Sequence, residues 1–411
     1  MKDRWRWVVL PFCALALTMG VRSGFGVYVL PWEAEYGASR TGIASVSSLS
    51  LLVYGLGNVL AGSAAERFGV GRVMAASLAL VAVGLLASTA ALDVGWLYLW
   101  YGVVASVGFA GASHVTASVA VRHRFPDRRR SFALSVVVAG MCAGQMAVVP
   151  AQVLGVARWG WKPVLASLAG LAALLALAAA FGSKSDAEVS AGHRVQAGRA
   201  SSVGALLRDV RFWVFLAPYA VCGFTDSGLV DNHFVPYARG LGVPEGALAA
   251  SLSTLAAANL AGTVAAGYLA DRWGRAAVLS VLYGVRGLAL AALVAGGPQA
   301  VWAFAPLFGL THFATIAPTN TLALSLFSGS APALAVGLAS FVHQVGAALG
   351  AVAGGAAFDR LGSYEAVFAV SVGLLAASAG GMGWLGRVAE PDFFGGGPVR
   401  GRPVRVGSEG R

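Results

Sequence analysis

The sequence predicts an all-α membrane protein of twelve transmembrane helices arranged as two six-helix bundles. Three observations carry this. Hydrophobic residues make up 57% of the 411 residues and charged residues only 11%, where a soluble domain carries about 25% charge. The apolar runs are about 20 residues long, the length of a membrane-spanning helix, and lack the ten-residue alternation of a transmembrane barrel. The basic residues, finally, sort to one side of successive segments. This composition excludes a soluble enzyme, a nucleic-acid binder and a disordered chain.

Taken in order, the first apolar segment runs over 5–30. It contains Arg22 and lacks a small-residue cleavage site, so it reads as helix one rather than a removed signal. Segments at 41–64, 73–92, 95–120, 132–155 and 162–182 complete the first bundle. The longest polar stretch follows, from Gly182 to Arg208, with Lys184, Asp186, Glu188, Arg194 and Arg199. Six further segments lie at 211–237, 245–269, 275–295, 300–326, 333–357 and 363–387. The chain beyond Arg387, with Gly395 to Pro398 and scattered arginines, has the composition of a disordered tail. The expected organisation is a bundle at 1–182, a cytoplasmic linker at 183–210, a second bundle at 211–388 and a cytoplasmic tail at 389–411.

Orientation follows from lysine and arginine placement. With the N-terminus in the cytoplasm, 22 of the 29 basic residues fall on the cytoplasmic side. Five (Arg40, Arg158, Lys162, Arg239 and Arg360) fall outside, and two lie within the membrane. The net charge of +11 therefore holds topology against anionic lipid and calls for no nucleic acid. The cysteines (Cys13, Cys142 and Cys222) sit far apart in apolar segments without a CxxC pair. They read as packing residues, and neither metal, disulfide nor other cofactor is expected.

One repeat stands out. Gly62, Glu66 and Arg67 follow helix two, and Gly267, Asp271 and Arg272 follow helix eight; the two acids lie 205 residues apart. Glycine permits close helix approach and a tight loop. A carboxylate beside arginines can make a breakable charge network, so each half carries a candidate cytoplasmic gate. Here the sequence resembles the major facilitator superfamily, over helices one to twelve. The resemblance implies two bundles around a central cavity and alternating access. Gly20 to Gly26 in helix one, Cys222 to Pro236 in helix seven, and His343, Gln344, Gly346, Gly350, Asp359, Gly362 and Tyr364 in helices eleven and twelve are similar to the bacterial monocarboxylate-transporter-like branch, which includes oxalate/formate carriers.

Charges inside a bilayer are costly and mark function by default. Arg22 sits deep in helix one, where a guanidinium can hold a carboxylate by two parallel bonds; its structural alternative is a pair with Asp226 or Asp231. Asp226, Asp231 and His233 in helix seven are the proton-coupling candidates, since a buried carboxylate can load and unload a proton near neutral pH. On a regular 3.6-residue helix, Asp226 and His233 share a face and Asp231 points away. Arg286, midway along helix nine, reads chiefly as an interhelical structural pair. His312, Thr315, Thr319 and Asn320 form a polar stripe in helix ten, with Pro318 inside it. With His114, Gln145, Asn259, His343 and Gln344 they complete the candidate substrate-binding set.

Two departures from related carriers shape the functional expectation. Members of the monocarboxylate and oxalate group tend to carry an arginine in helix eight where this chain has Thr263, which leaves the clamp to Arg22. Drug–proton antiporters carry a Gly-Pro motif in helix five, whereas Gly140 to Gln145 has no proline. There is no Walker A, HExxH or GxSxG sequence, so an ATP-driven pump or an enzyme is not expected. The expectation is a secondary active transporter of the bacterial inner membrane. It moves a small, monocarboxylate-like anion with a proton and works as a monomer in the lipid bilayer. The alternative is an exporter of an amphipathic metabolite or drug by proton antiport.

Overall fold

The computed structural model describes residues 2–124, 127–182, 207–327 and 332–390. Most of the linker expected at 183–210 and of the tail expected at 389–411 lies outside the described residues. Ten helices among the described residues are long and apolar enough to cross a membrane unaided. Helices two to six are Arg40–Phe68, Val70–Ser88, Val94–Val121, Ala133–Trp159 and Trp161–Phe181; helices seven to nine are Val210–Gly240, Glu245–Trp273 and Arg275–Ala295; helices eleven and twelve are Leu334–Leu361 and Glu365–Ala389. Helix one is a bent pair, Val8–Ser23 and Gly26–Tyr36, at 51° to each other. Helix ten is two short pieces, Val301–Gly309 and Ile316–Leu326. The twelve expected segments are therefore present, but helices one and ten are broken and helix four is interrupted at Ala112–Ser113.

The breaks have local causes. In helix one, the Phe25 N–H bonds the Arg22 carbonyl at 3.2 Å and the Val27 N–H bonds the Gly24 carbonyl at 3.0 Å, tight turns that end the α-ladder just after Arg22. Glycine is required for space there: a Cβ on Gly26 would lie 2.8 Å from the Asp231 carbonyl oxygen. Beyond the break, Trp32, fully buried, meets Phe25, Tyr101 and Trp161 edge-on at 5.5–5.9 Å between ring centroids. Those rings fix the direction of the second half. In helix ten, Pro318 has no N–H for the Ala314 carbonyl and crowds it. The chain from Leu310 to Thr315 instead makes i→i+3 turns such as His312 N–H to Gly309 O at 3.0 Å. The polar stripe expected on a continuous helix is thus split across a turn.

Helix seven is interrupted by a π-helical stretch, Phe224–Val230. π-turns insert a residue into the α register and recur at functional sites. Here the Asp231 N–H bonds the Asp226 carbonyl, and the Asn232 side chain donates to the Ser227 and Gly228 carbonyls at 2.8 and 2.7 Å. Asp226 and His233 both meet helix eleven, at His343 and Ala351, while Asp231 meets Ser23 of helix one.

The packing repeats between halves. Helix one packs on five and three on six; helix seven packs on eleven and nine on twelve. Across the interface, two packs on eleven and five on eight. The repeated pairs use the same device. A Cβ on Gly140 or Gly144 of helix five would overlap the backbone of Phe12 or Ala16, and a Cβ on Gly346 or Gly350 of helix eleven would overlap Ala220 or Phe224. Small residues four apart let membrane helices touch backbone to backbone. Gly346→Leu is therefore expected to destabilise the fold by about 3 kcal/mol or more, as severe overpacking does. Loss of the monodisperse peak in size-exclusion chromatography would report it, and an unchanged profile would contradict the contact.

Candidate functional site

Arg22 ends the first half of helix one and is half-buried. Its guanidinium carbon lies 3.5 Å from the centroid of the Tyr54 ring. No carboxylate comes within 4.0 Å of it among the described residues. It lines a narrow cleft with Ser47, Ser50, Tyr101, Ser227 and Asp231. The Tyr101 hydroxyl, on a side chain 1% exposed, has no hydrogen-bond partner among the described residues. A second cleft on the other side of Arg22 holds His114, with Thr18 and Ser113. A third is apolar, walled by Val149, Val230, Phe234, Leu252 and Leu255, with Ser23, Gln145 and Asp231 at its polar end.

These clefts are joined by a hydrogen-bond chain that crosses between the halves. Ser23 donates to Asp231 at 3.3 Å, and the Gln145 amide donates to Ser23 at 3.0 Å. Asn259 donates to the Gln145 carbonyl oxygen at 2.8 Å, and the Gln145 nitrogen lies 3.4 Å from His312 Nε2. Asn259 also accepts the Phe313 N–H at 2.9 Å, tying helix eight to the turn in helix ten. Four candidates, Gln145, Asn259, His312 and Asp231, thus meet in one network, with Ser23 as a link the sequence reading missed.

Asp226 faces the interior of the second half. Its partner is Arg286, at 3.4 Å from Nη1 to Oδ2, with His343 Nε2 at 3.6 Å from Oδ1. Arg286 is fully buried and its donors are used: Nη1 reaches the Cys222 sulfur at 3.0 Å, Nη2 the Thr311 and His312 carbonyls at 2.5 and 3.0 Å, and Nε the Thr311 hydroxyl at 3.2 Å. Arg286 therefore clamps the broken backbone of helix ten. The structure pairs Asp226 with Arg286, not with Arg22. Cys222, Asp226 and His343 bring three potential metal ligands within 4.8 Å, and the Arg286 guanidinium already bonds two of them, Cys222 and Asp226.

The remaining candidates scatter. The His343 ring lies tilted at 48° against that of Tyr219, 4.7 Å between centroids. Gln344 packs where a Cβ on Gly55 of helix two would come within 2.9 Å, and its Oε1, like Asn320 Oδ1, has no partner among the described residues. His233 is fully buried away from the clefts; Nε2 meets the Ala351 carbonyl at 2.8 Å and Nδ1 the Tyr364 hydroxyl at 3.3 Å. It faces helices eleven and twelve.

The glycine-loop repeat is symmetric in its backbone. Gly69 has φ 90° and ψ 140°, and Gly274 φ 91° and ψ 145°, a conformation open to glycine alone. Around them, Gly62 approaches Val115, Glu66 is half-buried, Arg67 lies over the Phe68 ring at 5.2 Å, and Gly267 leads into exposed Asp271 and Arg272. Bonds between halves gather at the opposite end. Asp359 of helix eleven accepts the Arg40 and Thr41 N–H groups at 3.0 and 2.8 Å and the Thr41 hydroxyl at 2.6 Å, capping helix two. Arg40 bonds Glu33 and Tyr364, and Arg239 reaches the Val27 carbonyl at 3.1 Å. That end is sealed.

Comparison with known proteins agrees with this architecture. The chain matches the Major Facilitator Superfamily over residues 11–351 and 235–397. It is 27% identical to monocarboxylate transporter 13 of Bos taurus, covering 95% of this chain and 90% of that protein. It is 26% identical to the MFS-type transporter YcxA of Bacillus subtilis (strain 168), covering 92% and 94%. The oxalate:formate antiporter of Oxalobacter formigenes is 25% identical over 70% of this chain and 68% of its own. Among solved structures, the nucleoside transporter NupG superposes with a TM-score of 0.77 at 14% identity, covering 93% of this chain and 99% of that one, which speaks to the fold alone. Twelve segments in two similarly packed sixes, paired glycine loops and a polar chain between the halves are the architecture of a transporter rather than an enzyme, and the chain belongs to the major facilitator superfamily.

Proposed function

We propose that this multi-pass membrane transporter carries a small organic anion, a monocarboxylate, together with a proton by alternating access. The observation that supports this most directly is Arg22: an intramembrane guanidinium lining a cleft, lying over the Tyr54 ring, with no carboxylate on its donors among the described residues. Such a group is a fork for a planar carboxylate. Arg286, the other intramembrane cation, is committed to Asp226 and helix ten. One available cation suits one carboxylate. A dicarboxylate would leave its second charge facing Asp231. The apolar cleft beyond Asp231 suits the cargo's hydrocarbon part. The relative named for monocarboxylates favours the same class, and the one named for oxalate and formate shares formate with it.

In this reading the cargo's carboxylate sits on Arg22, and a proton on a helix-seven carboxylate offsets its charge. His312, His343, Gln344, Asn320, Asn259, Gln145 and His114 supply neutral contacts along the path. The halves then rock: the Asp359 cap and the Arg239 bond part, and Glu66–Arg67 and Asp271–Arg272 close the glycine-loop end. In this reading that end and both termini face the cytoplasm, as the bias of basic residues favours, the protein sits in the inner membrane of a bacterial cell, and the monomer is the working unit. The test is uptake of labelled acids by proteoliposomes, under an inward proton gradient that an ionophore then collapses. Gradient-dependent uptake of a monocarboxylate, with oxalate excluded, is expected. No uptake of any acid by folded, correctly inserted protein would overturn the proposal.

A further inference from the structure

Helix seven carries two carboxylates whose surroundings differ in kind. Asp226 is 3% exposed. Its charge is met by Arg286 at 3.4 Å and its other oxygen faces His343 at 3.6 Å; the Cys222 thiol and the Ser227 N–H add hydrogen bonds. Asp231 is half-buried, has no basic nitrogen within 4.0 Å among the described residues, and receives a hydrogen bond from Ser23 at 3.3 Å. It lines both the Arg22 cleft and the apolar cleft, so it stands where cargo would pass.

We infer that Asp231, and not Asp226, binds the coupling proton. The inference rests on the anion–proton reading above. The groups that face Asp231 are few. Helix one brings Arg22 and Ser23, helix four the Tyr101 hydroxyl and helix five Gln145. Helix two brings only Ser47, Ser50 and Leu51, and helix eight only leucines. On its own helix the nearest acid is Asp226, which Arg286 balances. Arg22 is thus the only cation lining either cleft with Asp231.

That count of charges sets the sequence of events. With the site empty, ionised Asp231 balances Arg22 across the cleft. A cargo carboxylate arriving then would put two negative charges on one cation in a medium of low dielectric, which is strongly unfavourable. A proton from water, bonded to an Asp231 carboxyl oxygen, removes the competing charge and leaves Arg22 to the cargo. The loaded site is neutral and can cross. On the other side the cargo leaves, the O–H bond breaks and the proton returns to water. Asp226 cannot alternate in this way. Protonating it would strand the Arg286 charge in the interior, where an unpaired ion is far more costly than a paired one.

The test uses Asp231→Asn in proteoliposomes with two readouts: accumulation driven by a proton gradient, and exchange of labelled for unlabelled acid without one. Asp231→Asn is expected to lose gradient-driven accumulation by about tenfold or more while exchange persists and becomes insensitive to pH across the neutral range. Gradient-driven accumulation retained in this variant would overturn the inference and leave the cargo reading standing. Loss of exchange as well, in folded protein, would also overturn it, because the residue would then be holding cargo. A parent protein that neither accumulates nor exchanges any acid would sink both readings together. Asp226→Asn serves as the contrast, and an uncoupled but folded Asp226→Asn beside a coupled Asp231→Asn would move the proton to Asp226.

Discussion

Arg22→Ala is expected to lower monocarboxylate uptake by about a hundredfold or more while leaving the protein folded. Removing one partner of a desolvated, hydrogen-bonded charge pair costs about 2–5 kcal/mol, and each 1.4 kcal/mol is a factor of about ten. The fold should survive because Arg22 makes no ion pair among the described residues. Its described contact is the face of Tyr54 at 3.5 Å, an interaction worth on the order of 1 kcal/mol. Arg22→Lys keeps the charge but not the two-pronged geometry, and its uptake should fall between parent and alanine variant. The measurement is initial uptake rate in proteoliposomes, with monodispersity as the control for folding. Parent-level uptake in Arg22→Ala would remove the clamp from the mechanism. An unfolded variant would mean that Arg22 carries structural weight which the geometry does not show.

What the sequence disclosed and what it hid divide along a physical line. Periodic, local properties were legible. Apolar runs located every segment, because a bilayer leaves few alternatives to a long apolar helix. The glycine loops after helices two and eight were found as a pattern and proved alike in backbone, Gly69 against Gly274. Pro318 signalled trouble in helix ten, though not that the helix stops from Leu310 to Thr315. What stayed hidden depends on register and on partners distant in the chain. The π-turn at Phe224–Val230 has no composition of its own. Arg286 was read as a structural pair, but nothing local names Asp226, 60 residues away, as its partner. Ser23, Tyr54 and Tyr101 were passed over because hydroxyls and rings are common in membrane helices; only their position around Arg22 singles them out.

Arg286→Leu is expected to be the most damaging single change in the second half. It removes a guanidinium that is fully buried and bonded at once to Asp226, Cys222, Thr311 and His312. Two consequences add. Asp226 is left as a charge in the membrane interior with only His343 near enough to answer it, and breaking a buried pair from one side costs about 3–5 kcal/mol. The Thr311 and His312 carbonyls also lose the donor that closes the break in helix ten, and an unsatisfied buried polar group costs about 1–3 kcal/mol. Together these approach the whole stability of an ordinary fold, on the order of 5–15 kcal/mol, so little monodisperse protein should be recovered. The paired variant Arg286→Leu with Asp226→Leu separates the two. It removes the stranded charge and leaves only the helix-ten carbonyls unsatisfied, so it should be more stable than Arg286→Leu alone, the non-additivity that marks a coupled pair. A paired variant no better than the single one would show that the guanidinium matters for helix ten rather than for Asp226. Arg286→Leu recovered with parent-like thermal stability, but unable to bind acid, would make Arg286 the anion clamp and return Arg22 to a packing role.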